Sequence, residues 1–181
     1  MLILLAVSTA LLVWAIWTYN RFIRLDNLAD EAWSGIDVQL RRRYDLIPNL
    51  VAATRAYKDY EQELLTTVTE LRHLNGQPSQ ARAETETRLS KSIGRLIALA
   101  EAYPDLKASE QFLELQDALV QVEEDIQYAR RYFNGSVRDW NNQVESFPSL
   151  LVARLFNYQE RDFFEIQLAT MREAPKVELN R

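Results

Sequence analysis

The chain has 181 residues, of which 48% are hydrophobic and 26% are charged, and its net charge is −5. Four glycines and five prolines are too few for a many-stranded β protein, and the hydrophobic content is too high for a disordered chain. The acidic balance disfavours nucleic acid as a partner. Without cysteine the chain has no disulfide, thiolate ligand or thiol nucleophile. An all-α protein with a single domain and a short appendage is therefore expected.

An uncharged apolar segment occupies residues 1–19. As a helix rising about 1.5 Å per residue it reaches about 28 Å, enough for a thin hydrocarbon core. Its C-terminal edge carries the aromatic and basic residues typical of a membrane interface: Trp14, Trp17, Tyr19, Arg21 and Arg24. No basic residue precedes the segment and no small-x-small cleavage pattern follows it, so we expect a single retained transmembrane anchor rather than a cleaved signal or a buried core helix.

The basic residues that flank this segment lie only on its C-terminal side. The positive-inside tendency therefore predicts a single-pass cell-membrane protein whose soluble domain is cytoplasmic. An extracytoplasmic soluble domain is the alternative.

Beyond the anchor the helical pattern continues. Apolar residues recur at spacings of mostly three and four from Phe22 to Tyr44, which predicts that the anchor runs straight into a soluble helix. The pattern is interrupted at residues 45–48. Either Asp45 caps a new helix with Pro48 in its first turn, or Pro48 kinks a continuous helix. A second helical pattern then runs to about residue 71, and the loop signal Asn-Gly-Gln-Pro-Ser follows at residues 75–79.

Two further helices are predicted. One runs from about Gln80 to Tyr103. The next carries an apolar or aromatic residue every seven positions from Phe112 to Phe147, with a second seam that shifts by one residue near its end, as a 3.6-residue helix requires. A short helix can follow at 149–155.

Each long amphipathic helix must bury one stripe. We therefore predict an antiparallel bundle of about four long helices that is continuous with the anchor. The boundaries are 1–19 for the anchor, 20–158 for the bundle and 159–181 for a C-terminal tail.

No catalytic or metal-binding set is apparent. His73 is the only histidine, whereas a di-iron bundle needs two Glu-x-x-His motifs. Nucleophile elbows and glycine-rich phosphate loops are missing from the sequence. The carboxylates at 61, 63 and 123–125 are interpreted as solvated. We predict no enzymatic activity, no metal and no cofactor.

Two polar clusters lie close to the expected core. One surrounds the interruption and the other lies on the last long helix; together they comprise Arg42, Arg43, Asp45, Asn49, Arg131, Asn134 and Asn141. They are interpreted as a polar network that fixes helix register. The alternative is a docking site for an anionic or peptide partner, because guanidinium groups bind such groups bidentately.

Three segments closely resemble the LemA family of bacterial membrane proteins: Tyr19-Asn20-Arg21, AWSGIDVQLRRRYDLIPNLV from Ala32 to Val51, and the segment from Tyr103 to Phe156. The run RRYDLIPNL is the most specific. The resemblance implies an N-terminal segment at the membrane followed by an antiparallel helical bundle. It implies no established activity and no catalytic residues. One departure is Asn157-Tyr158, where the family pattern often has Gly-Phe, which leaves open whether the chain turns sharply there.

These observations predict a membrane-anchored scaffold or adaptor that binds an unidentified protein partner or assembles as a homo-oligomer. The alternative is a sensor bundle with an anionic ligand site formed by the arginine and asparagine residues named above.

Overall fold

The computed structural model describes residues 1–55, 79–100 and 103–165. This part of the chain is all-α, as predicted. Its helices are α1 (Leu2–Arg55), α2 (Ser79–Ala100), the single turn α3 (Pro104–Lys107), α4 (Glu110–Glu145) and α5 (Ser149–Leu155).

Helix α1 runs for 54 residues without a break from the apolar segment into the soluble part. Pro48 lies inside it, so the continuous helix is the correct alternative and a new helix capped by Asp45 is wrong. Proline cannot donate a hydrogen bond to the carbonyl of Tyr44, which weakens the helix locally. Tyr44 and Ile47 before Pro48 and Leu50 after it are buried, and their packing stabilises the helix across the proline. The remainder of the predicted second helix, the loop signal before Ser79 and His73 lie outside the described residues.

Only 6% of the most apolar window of α1 is buried. A core helix of a soluble protein would be mostly buried, so the exposure favours the membrane anchor. Among the described residues α1 is the one helix with the length and apolarity to cross a membrane.

Helix α4 spans 36 residues and confirms the predicted seven-residue seam. The seam residues from Phe112 to Trp140 are buried, and so are Val137 and Val144 of the shifted second seam. The exception is Phe147, which is 80% exposed because the helix ends at Glu145 before the seam reaches it.

The chain divides into two compact units. The first contains Met1–Leu40 and Glu124–Phe163. In it α1 and α4 pack antiparallel, since the Phe22 ring lies 5.5 Å from that of Trp140 and the Trp33 ring lies 5.3 Å from that of Phe133. The core of this unit is a cluster formed by Phe22, Trp140, Val144, Val152 and Ala153.

The second unit contains the described residues from Arg41 to Glu123, together with Phe164 and Glu165. Its buried apolar residues come from α1, α2, α3 and α4 and include Leu50, Leu89, Ile93, Leu106 and Leu115. The three long helices therefore each bury apolar residues in one core, as a helical bundle requires, and α3 adds Leu106.

A sharp turn follows α5. Asn157 has φ 55°, and the N–H of Tyr158 donates to the carbonyl of Ala153 at 2.9 Å while that of Asn157 donates to Arg154 at 3.4 Å. This is the Schellman arrangement, in which asparagine is the usual substitute for glycine. The turn that the sequence left open is thus made here by Asn157.

Candidate functional site

A buried ionic cluster in the second unit joins three helices. It consists of Arg43 of α1, Glu86 and Ser90 of α2, and Glu123 of α4. The side chain of Arg43 is 1% exposed and that of Glu86 is fully buried, so an unpaired charge here would be strongly destabilising.

Every member of the ionic cluster contacts the guanidinium group of Arg43. Its Nη1 donates to the Ser90 hydroxyl oxygen at 2.7 Å and to Glu123 Oε2 at 2.8 Å. Its Nη2 pairs with one carboxylate oxygen of Glu86, and the Tyr44 hydroxyl donates to the other oxygen. Two carboxylates thus share one guanidinium, and the cluster links the three helices at one level.

The partners of Arg43 were missed in the sequence. Glu123 was interpreted as solvated, and this is wrong: its side chain is 27% exposed and is paired with Arg43. Glu86 was not singled out. A signal was available, because Arg43 lies between the buried stripe residues Leu40 and Ile47, and Glu86 precedes the buried Leu89 by one turn.

The other members of the predicted polar set lie in different surroundings. Arg42, Asp45 and Asn49 are exposed on α1, whereas Asn134 is half-buried on α4. Asn49 also lines an open cavity of about 690 Å³ in the second unit. A single site that includes both Arg43 and Asn134 stays a prediction.

Asn141 holds the start of the C-terminal tail in the first unit. Its Nδ2 donates to the carbonyl of Arg161 at 3.0 Å, and its Oδ1 accepts the N–H of Arg161 at 2.8 Å. Trp140 Nε1 donates to the carbonyl of Gln159 at 2.8 Å. The start of the tail is thereby fastened to α4.

The side chain of Arg161 reaches α1. It donates to Asp30 Oδ1 at 2.7 Å and to Asp26 Oδ1 at 2.5 Å. Burial lowers the pKa of Arg161, but the hydrogen bond and charge of Asp30 and the charge of Asp26 outweigh burial and raise it. No local pattern predicts this contact, because Arg161 lies 131 and 135 residues from its two partners.

An aromatic and basic surface lies on α4 in the first unit. We define the α4 patch as Tyr128, Arg131 and Tyr132. Tyr128 is 65% exposed and Tyr132 is 56% exposed, and the Arg131 guanidinium lies 4.4 Å from the centroid of the Tyr128 ring. From Ile126 to Arg138 the helix carries three arginines and no acidic residue. Tyrosine and arginine are among the residues enriched at protein interfaces.

The predicted interface anchors lie where the apolar part of α1 ends. Trp14 packs against the core cluster of the first unit, and the Arg21 guanidinium lies 5.7 Å from the centroid of the Trp17 ring. The ring of Tyr19 lies 4.8 Å from that of Phe156. Arg21 and Arg24 are exposed, as cations at a headgroup boundary require.

The described residues contain no group of three or more histidine, aspartate or glutamate side chains arranged to hold a metal ion. The ionic cluster and the contact of Arg161 with Asp26 and Asp30 both pair acidic with basic side chains within the chain.

Fold and surface together define an all-α, membrane-associated protein built on one apolar N-terminal helix. The profile described as the LemA family matches residues 32–179, and the chain belongs to that family. It is 24% identical over 164 residues to Protein LemA of Metamycoplasma hominis, and the match covers 89% of this chain and 73% of that one. It is 22% identical over 194 residues to Magnetosome protein MamQ of Magnetospirillum gryphiswaldense, with 90% of this chain and 71% of that one covered.

Proposed function

We propose that this chain is a non-catalytic, membrane-anchored scaffold that presents the α4 patch to a protein partner. The observation that carries the proposal is the exposure of Tyr128 and Tyr132 on a helix that packs directly on the anchor helix through Phe133 and Trp33. A partner bound there is held at a fixed distance from the membrane.

The patch suits a protein rather than a small molecule. Small ligands are bound in concave sites that bury most of their surface, whereas Tyr128 and Tyr132 protrude from a single helix. Large rigid aromatic side chains beside an arginine give contact area at low entropic cost. The α4 patch therefore matches the composition of an interaction hot spot.

The charge of the surface favours an acidic partner. Arg131 of the patch is exposed, and Arg138 is exposed two turns further along the helix. Complementary carboxylates on the partner would accelerate association and select against basic proteins.

A second copy of this chain fits the α4 patch less well. Two copies in one membrane are related by an axis along the membrane normal, so equivalent helices pack parallel. Arg131 would then face Arg131 of the second copy, and like charges across an interface are unfavourable.

Photo-crosslinking in intact membranes tests the proposal. A photoreactive phenylalanine analogue replaces Tyr132, and the matched control places it at Leu113, which is exposed on the same helix outside the patch. We expect a crosslink to a different, acidic protein from position 132 only, and its loss on R131E but not on R88E. Identical products from both positions, or only a dimer of this chain, would contradict the proposal.

A further inference from the structure

Besides α1, the first unit has an exposed apolar surface at the corner between α4 and α5. It consists of Phe147, Leu151, Leu155 and Phe156, and we call it the α5 face. Phe147 is 80% exposed and Leu155 is 78% exposed. Leu151 and Leu155 lie one turn apart on α5, Phe147 lies just before the helix, and the opposite side of α5 (Ser149, Val152 and Ala153) is buried. Helix α5 is therefore amphipathic, with its outer side apolar.

The α5 face lies at the level where the apolar part of α1 ends. The Phe156 ring is 4.8 Å from that of Tyr19. An open cavity of about 500 Å³ has Trp14 and Trp17 on one wall and Phe147 and Pro148 on another. The aromatic residues of α1 mark the membrane boundary, so the α5 face lies at that boundary as well.

Several polar groups at this corner are paired within the chain. The Ser149 hydroxyl donates to the carbonyl of Gln143 at 2.7 Å and can alternatively reach that of Ser146 at 2.8 Å. The N–H of Leu150 donates to the carbonyl of Ser146 at 2.7 Å. After α5, the Schellman turn at Asn157 pairs the last carbonyls. Unpaired backbone groups are the main obstacle to placing an irregular segment in an apolar medium, and these pairings reduce their number at this corner.

Exposed basic residues accompany the apolar ones. Arg154 lies on α5, and Arg21 and Arg24 follow the apolar segment of α1. Arginines beside an apolar helix face are attracted by anionic lipid headgroups.

We infer that the α5 face is a second membrane contact, inserted into the headgroup and upper acyl region of the leaflet that α1 enters through Trp17 and Tyr19. The occupant of the face is the lipid bilayer. The face is continuous with the exposed apolar surface of α1, and its arginines match the charge of lipid headgroups. One spanning helix leaves a protein free to tilt and rotate, and a second contact fixes the orientation of the first unit on the membrane.

Fluorescence quenching by lipid tests this inference on the full chain. The protein has no cysteine, so L155C can carry a single environment-sensitive dye. Y132C is the matched control, because Tyr132 is also a large exposed side chain but neighbours Phe133, which packs on Trp33 well beyond the apolar segment. Each labelled protein is reconstituted as one chain per nanodisc of phosphatidylcholine and phosphatidylserine, with a spin label on the lipid headgroup or shallow acyl chain.

We expect blue-shifted emission and several-fold stronger quenching by the shallow spin label at position 155 than at position 132. L151C serves as a second position on the same face and should behave like L155C. Equal emission and equal quenching at 155, 151 and 132 would overturn the inference. Because each nanodisc holds a single copy of the chain and, apart from the scaffold belt, no other protein, burial in an interface between copies or with a cellular partner cannot produce the expected result.

Discussion

Asn141 and Arg161 form a two-bond clasp in which one side-chain amide satisfies both backbone groups of a single residue, at 3.0 and 2.8 Å. Asn141 and Arg161 are twenty residues apart in the chain. Beside the clasp, Trp140 donates a hydrogen bond to Gln159, which is nineteen residues away. The clasp explains why residues 159–161, which form no helix, are nevertheless fastened to the bundle.

Replacing Asn141 tests the clasp. N141A leaves two half-buried backbone groups without partners, which costs about 1–3 kcal/mol. We expect faster amide exchange and proteolysis at residues 159–163, measured by mass spectrometry on the protein in nanodiscs. N142A is the control, because Asn142 is the exposed neighbour. Equal exchange in both variants would show that the clasp does not hold the tail.

The ionic cluster predicts how substitutions of Arg43 change the stability of the protein. R43M removes the cation between Glu86 and Glu123 and leaves Glu86 buried and unpaired, so the free energy of unfolding should fall by about 3–5 kcal/mol. R43M/E86L removes the orphaned charge and should recover much of the loss. R42M, at an exposed position, should change stability by no more than about 1 kcal/mol, the upper range for a surface ion pair.

Thermal unfolding in detergent micelles, followed by circular dichroism, measures these differences. Equal destabilisation by R43M and R42M would contradict a buried pairing of Arg43.

The left-handed backbone of Asn157 predicts how substitutions at this position change the stability of the protein. Its φ of 55° is disfavoured for most residues, and a β-branched side chain there costs about 1–2 kcal/mol. N157V should therefore destabilise the protein by that amount, whereas N157G should be neutral or slightly stabilising. Midpoints of thermal unfolding measure these effects. N142V is the control, because Asn142 is an exposed residue within a helix. A larger loss for N157G than for N157V would be inconsistent with the observed turn.

The contact between Glu160 and Glu145 predicts how the stability of the protein depends on pH. A hydrogen bond and charge repulsion from Glu145 raise the pKa of Glu160 above its ordinary value of 4.5. A carboxyl group whose pKa is raised on folding binds more protons in the folded state, so its contribution to stability falls as the pH rises through that pKa. This group stabilises the folded state at pH values below its unfolded-state pKa, and the stabilisation is lost as the pH rises through its folded-state pKa.

The carboxyl carbon shift of Glu160, followed by NMR titration, reports this pKa. We expect a midpoint above 4.5 in the wild type and a lower midpoint in E145A. The same midpoint in both proteins would exclude the Glu145 contact.

Much of the fold follows from the sequence because helical spacing is a local property. The seven-residue repeat from Phe112 to Trp140 predicts α4 and its buried face, and the apolar segment predicts the anchor. The continuity of α1 through Pro48 could not be decided, because packing of Tyr44, Ile47 and Leu50 determines whether the weakened turn survives. The partners of Arg43 were missed because Glu86 and Glu123 lie 43 and 80 residues away.

Affinity purification from intact membranes, with quantitative mass spectrometry of wild type and Y128A/Y132A, tests the scaffold proposal most directly. Truncating two hot-spot side chains weakens a complex by at least about 2 kcal/mol, which is more than tenfold in affinity. We predict that a specific acidic protein recovered with the wild type is depleted about tenfold or more with the double variant, while the variant keeps its unfolding midpoint and membrane association. Recovery of the same proteins in the same amounts with both would contradict a role for the α4 patch as the docking surface.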